Sequence, residues 1–319
     1  MVFSWCFGSS SNMEEPQSEY DELPYSLKWR MHFGKPERDP HTGNDIMRLS
    51  NNRLVQTHCE STEYQALKLI DEHTSIPAYR VIAVYNRPEG KVVEYEGIPG
   101  NSLDSCWKDL TMDKKKRIVS DVGRFVDQLR KMTPPKHFVI GDSTMGAARD
   151  MRFGPGVVGP FYTLDAFHDF LRRGYNARDF RGDCVEKVHE MRPKSGTPYE
   201  LKFSHANLTP RNILVDGAGR ICALIGWESA GWYPEYWEYV QLCQNTDANS
   251  LAAEEWLTMM KGVLTIYDEE LECDRALRVR FRSEDYARPR SVRPPSPTPS
   301  IIAKDQQEID DKNTENTSG

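Results

Sequence analysis

The segment Phe203-Ser204-His205-Ala206-Asn207-Leu208-Thr209-Pro210-Arg211-Asn212 gathers the side chains of this sequence best suited to chemistry. An imidazole and two amides precede two short apolar runs, 213–215 and 221–225, which flank Asp216-Gly217-Ala218-Gly219-Arg220. That order reads as a polar loop, a strand, a tight turn and a returning strand. The layout suits phosphoryl transfer, where a carboxylate lies beside the attacking hydroxyl while an amide and a second carboxylate hold a metal ion against the phosphates. The spacing His205, position 207, Leu208, Asn212 fits the His-x-Asp-Leu-x-x-x-Asn template of such loops. The spacing alone is common; followed by a hairpin of this length it is much less so.

Other elements must position that loop. Ile46-Met47-Arg48-Leu49 and Arg53-Leu54-Val55-Gln56 read as a hairpin around Ser50-Asn51-Asn52. Ser61 or Thr62 can cap a helix whose apolar face is Tyr64, Leu67 and Ile70. Val81-Ile82-Ala83-Val84-Tyr85 and Lys91-Val92-Val93-Glu94-Tyr95 read as two further strands. After Pro99-Gly100 the pattern turns helical: residues 112–131 place Ile118, Val122, Phe125, Val126 and Leu129 on one face, and a second helix is expected over 164–173. A small strand-rich lobe joined by a short connector to a larger helical lobe is a way to hold a nucleotide between lobes. The expected organisation is an arm over 1–20, an N-lobe over 21–98, a helical C-lobe over 99–274 and a disordered tail over 275–319, rich in Arg and Pro and then polar.

Composition narrows the classes. The chain has 319 residues, 38% of them apolar, enough for one two-lobed domain or two ordinary ones. Its 41 Lys and Arg against 48 Asp and Glu give −7, which argues against binding nucleic acid through bulk positive charge. No run approaches the ~20 apolar residues of a membrane helix, and the first residues lack the layout of a signal peptide. Seven scattered cysteines without a C-x-x-C pair disfavour a disulfide scaffold and a zinc site. The expectation is a cytoplasmic protein with a small-molecule partner, no nucleic acid and no membrane.

The run Ile225-Gly226-Trp227-Glu228-Ser229-Ala230-Gly231-Trp232-Tyr233-Pro234-Glu235-Tyr236-Trp237-Glu238-Tyr239 resembles the aminoglycoside phosphotransferase / choline kinase-like family, in particular its fungal branch. His73-Thr74-Ser75-Ile76-Pro77, Glu96-Gly97-Ile98-Pro99-Gly100 and Gly159-Pro160-Phe161 agree, and the resemblance covers roughly residues 45–245. It implies an α+β, two-lobed protein kinase-like fold, with ATP and magnesium as cofactors for phosphorylating a small-molecule hydroxyl. Residue by residue, Glu63 matches the glutamate that orients the phosphate lysine, and Asn212 the metal-binding asparagine. Glu96 and Ile98 match the connector that meets an adenine.

Three matched positions depart from the pattern. Gln56 stands where the phosphate lysine is expected, Asn207 where the base is expected, and Gly226 where the second metal ligand is expected. Loss of a general base costs roughly 10²–10⁴ in rate. Magnesium prefers carboxylate and phosphate oxygens, so Asn212 without a carboxylate at 226 is a poor holder. Glu228, two residues on, is a candidate substitute ligand, although a salt bridge is its plainer use. His205 is expected to be structural. The sequence therefore points to a pseudo-phosphotransferase that binds a small molecule or nucleotide without normal transfer. The alternatives are a residually active kinase and a cleft repurposed for a non-phosphoryl reaction in natural-product metabolism.

Overall fold

The computed structural model describes residues 21–38, 45–49, 52–59, 61–134, 139–154, 156–180, 184, 185, 188, 199–246 and 251–286. Its N-terminal part is a five-stranded antiparallel sheet of β1 (Lys35–Arg38), β2 (Asp45–Arg48), β3 (Arg53–Cys59), β4 (Arg80–Tyr85) and β5 (Lys91–Glu96), in the order β1-β2-β3-β5-β4. Side chains alternate across a strand, so β3 has two distinct faces. Leu54 packs with Val93 and Tyr95 in the main core, beside Tyr64, Leu67 and Ile70 of α2 (Ser61–His73). Val55 turns the other way, into a small cluster with Leu49, Val92 and Leu27 of α1 (Tyr25–His32). The helix α1 was not expected from the pattern. It carries one buried residue, Leu27, and its weak periodicity hides the face it presents to the sheet.

The connector after β5 is tied to the polar-loop hairpin by backbone pairing. Asn101 and Ser102 of β6 (Asn101–Ser102) pair with Val215 and Leu214 of β11, the strand Ile213–Val215. Strand β12 (Ile221–Leu224) returns beside β11, and the Leu224 N–H donates to Pro77 O at 2.7 Å, which pins the hairpin to the loop after α2. Short strands β7 (Gly141–Asp142), β8 (Ala148–Arg149) and β9 (Val157–Val158) precede β10 (Leu201–Ser204); β13 (Gly231–Pro234) lies between β10 and β7.

The helical part comprises α3 (Leu103–Cys106), α4 (Met112–Lys131), α5 (Leu164–Leu171), α6 (Trp237–Asn245), α7 (Leu251–Lys261), α8 (Asp268–Arg280) and α9 (Ser283–Tyr286). Helix α4 spans the range its periodicity gives, and Ile118, Val122, Val126 and Leu129 are buried. Trp227, Trp232, Tyr233, Tyr236 and Trp237 are all buried, which places them in the core.

The C-terminal boundary differs from expectation. Residue 275 falls inside α8, and the ordered chain continues through α9. Leu277 and Phe281 are buried one turn apart, and Arg278 Nε donates to Asp274 Oδ2 at 2.6 Å. Of the arginines that read as a solvated run, Arg278 pairs with Asp274 one turn back and Arg280 Nη1 donates to Ala276 O at 2.9 Å, while the two apolar side chains pack inward. The expected arm over 1–20 and the tail beyond 286 lie outside the described residues.

Candidate functional site

The polar loop runs from the end of β10 to the start of β11, and a single buried carboxylate on α6 fixes its entry. Glu238 Oε2 accepts from the His205 N–H at 2.6 Å, and Oε1 accepts from the Ala206 N–H at 3.1 Å. Asn245 Nδ2 donates to Ala206 O at 3.2 Å. These bonds hold Ala206 at φ +60°, a left-handed conformation that costs an L-residue about 1–2 kcal/mol. Burial pushes the Glu238 carboxyl up to about 7, against the two N–H donors that favour its charge. The sequence pattern missed this residue as a loop anchor. Its one signal was an acid flanked by two large aromatics, Trp237 and Tyr239.

His205 is fully enclosed beside the ring of Trp227, with ring centroids 4.4 Å apart. Its Nδ1 accepts from the Asn207 N–H at 3.2 Å, and its Nε2 lies 3.1 Å from Ile225 O. The first bond requires a bare Nδ1 and the second a protonated Nε2, so one neutral tautomer satisfies both. Burial holds its pKa down to about 4, which keeps the ring neutral at physiological pH. His205 thus bridges the loop to the end of β12 as a structural group.

Asn207, Asn212, Gly226 and Glu228 come together around that bridge. Asn212 Nδ2 donates to Asn207 O at 2.9 Å, and Asn207 Nδ2 donates to Glu228 Oε1 at 3.4 Å. The Ile225 N–H donates to Asn212 O at 2.9 Å, joining the two strands of the hairpin. Gly226 adopts φ +79°, and a β-carbon built on it would lie 2.8 Å from Asn212 Nδ2 and 2.9 Å from Oδ1. Asn212 therefore fills the space beside the bare glycine. Its Oδ1 is buried and accepts no hydrogen bond among the described residues.

Gln56 and Glu63 meet elsewhere, at Tyr95. Gln56 is 2% exposed, and its Oε1 accepts from the Tyr95 hydroxyl at 3.0 Å. Burial, then the negative charge of Glu63, push the Tyr95 hydroxyl well above its ordinary pKa. The cation of the same strand points away: Arg53 Nη1 lies 3.9 Å from Glu94 Oε1, and Arg30 of α1 reaches the same oxygen at 3.1 Å. Strand alternation thus sends positive charge to the α1 face and a neutral amide to the α2 face. Helix α2 in turn packs against the turn Trp227–Ser229 that carries Glu228.

Glu96 is the last residue of β5, and Ile98 follows on the connector. The Glu96 carboxylate is about half exposed and accepts from Arg80 at 2.5 Å, while Ile98 is partly buried. Among the described residues no group of three or more His, Cys, Asp or Glu gathers as a metal site. The loop offers amide donors and acceptors and one carboxylate, Glu228, whose Oε1 already receives the Asn207 amide.

Comparison with known proteins gives the family. The model of a family described as "Phosphotransferase enzyme family" matches residues 41–277. By sequence, no curated protein matches the chain. Among solved structures, a GDP complex of an aminoglycoside 2'-phosphotransferase-IIIa variant is 13% identical at a TM-score of 0.53, covering 89% of this chain and 92% of that one. The streptomycin–ATP ternary complex of APH(2'')-IIa is 10% identical at 0.51, covering 81% and 88%. At these identities the likeness shows a shared kinase-like fold, with a β-rich N-terminal part and a helical C-terminal part. Among the described residues no helix is long and apolar enough to cross a membrane. With the family match spanning 41–277 and the polar-loop hairpin folded inside it, this chain belongs to the phosphotransferase enzyme family.

Proposed function

We propose that this protein is a pseudo-phosphotransferase: its cleft binds a small molecule or nucleotide without normal phosphoryl transfer. The observation that carries this reading is the bond from Asn207 Nδ2 to Glu228 Oε1. The side chain at the base position is an amide that cannot accept a proton at neutral pH, and its donor is committed to a neighbouring carboxylate. Gln56 supports the same reading, because a neutral amide bonded to Tyr95 cannot neutralise a phosphate as an ammonium does.

ATP is the nucleotide suggested by the family and by the ternary complex of APH(2'')-IIa. A resident magnesium fits the residues poorly. Magnesium favours hard, charged oxygens, and Asn212 Oδ1 is neutral while Gly226 offers no ligand. Where a second reading has support, it comes from Glu228, which is 7% exposed and adjacent to Asn207. A residually active small-molecule phosphotransferase would use that carboxylate in place of the missing ones.

A thermal-shift titration with ATP, with and without magnesium, combined with an ADP-release assay over a hydroxyl-compound panel, separates the two. The proposal expects no magnesium-dependent shift and no ADP above the blank. ADP release that disappears in Glu228→Gln would establish the second reading instead. Restoring Gln56→Lys, Asn207→Asp and Gly226→Asp together tests whether charge alone is missing.

A further inference from the structure

Helix α5 and the turn after it enclose a polar cavity of about 300 Å³. Asp165, His168, Asp169 and Arg172 fall at i, i+3, i+4 and i+7, so one face of the helix lines it. The turn folds back on that face: the Gly174 N–H donates to Asp169 O at 2.8 Å, and Asn176 closes the wall. The volume stands at the lower limit for small-ligand sites, which suits a molecule of amino-acid size better than a nucleotide.

The charges follow one another along the helix. Arg172 is nine-tenths buried at one end, its Nε donating to Tyr175 O at 2.9 Å and its Nη2 lying 3.6 Å from Asp169 Oδ1. The Asp169 carboxylate is 58% exposed. Asp165, one turn further, is exposed and makes no hydrogen bond or ion pair among the described residues. His168 is buried and neutral, because burial holds its pKa down to about 3. The lining therefore presents two negative charges and one positive.

A ligand that mirrors this pattern carries one carboxylate and two cations, as a free basic amino acid does. A carboxylate suits the fixed planar guanidinium of Arg172. Residues four apart on a helix are separated by ~6 Å, and two ammonium nitrogens joined through five carbons by roughly 7 Å, so each can reach its own aspartate. A nucleotide or a simple anion would leave both carboxylates facing like charge.

The cavity lies away from the polar loop. His168 Nε2 is 2.8 Å from the Tyr236 hydroxyl, and the Tyr236 and Tyr199 rings are 4.8 Å apart. Tyr199 precedes β10 while His205 follows it, so on the order of 13 Å of strand separates the two ends.

We infer that this cavity is a second binding site that takes a free basic amino acid, its carboxylate on Arg172, its α-ammonium on Asp169 and its side-chain cation on Asp165. This inference stands apart from the reading of the cleft.

Isothermal titration calorimetry of the full chain with L-lysine tests it. L-Norleucine, which lacks the side-chain ammonium, and Nα-acetyl-L-lysine, which lacks the α-ammonium, serve as comparisons. The expected result is saturable binding of lysine at one site, and roughly three-fold weaker binding for each solvent-facing charge pair lost. Asp165→Asn should weaken lysine by that factor and leave norleucine unchanged. Asp169→Asn should weaken lysine likewise and leave Nα-acetyl-lysine unchanged. Both aspartates are on the surface, and melting temperatures check the fold of each variant. Absence of saturable heat with lysine would overturn the inference, as would norleucine binding equal to lysine or an affinity untouched by either variant. Lysine binding that falls in Glu228→Gln would put the ligand in the cleft and overturn it as well.

Discussion

Asn207 Nδ2 sits 3.4 Å from Glu228 Oε1, so this loop amide is a donor to the Glu228 carboxylate. An ionised aspartate at 207 could not make that bond. The two positions are therefore matched to each other, and a change at one alters what the other can tolerate.

Restoring only the acid at 207 is expected to destabilise the fold. In Asn207→Asp two carboxylates face each other around a buried position, and one must take a proton or be repelled. The expected loss is about 1–3 kcal/mol at pH 7, shrinking in acid and in the double variant N207D/E228Q. Urea melts at pH 5 and pH 7 read it directly. Equal stability of wild type and N207D at pH 7 would show that the Asn207–Glu228 bond has no energetic weight.

Gly226 is held by two constraints, its φ of +79° and the approach of the Asn212 amide. Gly226→Ala should lower stability by about 1–3 kcal/mol, from left-handed strain and from displacing Asn212. The contact part should be relieved when Asn212 is shortened. The prediction is a favourable interaction term between Gly226→Ala and Asn212→Ala in a double-mutant cycle. Strict additivity would mean that Asn212 does not occupy the space beside the glycine.

Acid should weaken the fold through its enclosed histidines. Burial holds His168 down to about 3 and His205 down to about 4, both below the ordinary 6.5. As pH falls below 6.5 the unfolded chain binds protons that these folded sites refuse, so stability drops toward pH 4. Glu238 acts in the opposite sense. Its raised pKa, about 7, lets the folded chain hold a proton the unfolded chain has lost, and that contribution fades as pH rises from 4.5 to 7. Removing His168 isolates one histidine's share. His168→Gln retains a polar partner for the Tyr236 hydroxyl, which lies 2.8 Å from Nε2, and should flatten the pH 4.5–6.5 slope by about 1.4 kcal/mol per pH unit. Parallel slopes in the two proteins would sink this account.

The sequence by itself determined a good deal. The α+β class, the strands over 46–56 and 81–95, the helix Met112–Lys131 and the hairpin after residue 212 were legible because each repeats a short apolar period over local neighbours. The identity of the residues at 56, 207, 212 and 226 was likewise plain from motif spacing.

What those residues do to one another was decided only by the tertiary structure. That Gln56 bonds Tyr95 depends on the register of β3 against β5, and that Arg53 faces α1 depends on strand alternation. Glu238 lies 33 residues from His205 in sequence, yet it anchors the loop because the first turn of α6 reaches the residues that follow β10. Helix α1 and the packed end of α8 were missed for the same reason: their stability comes from a surface supplied by distant strands and helices, which no local periodicity encodes.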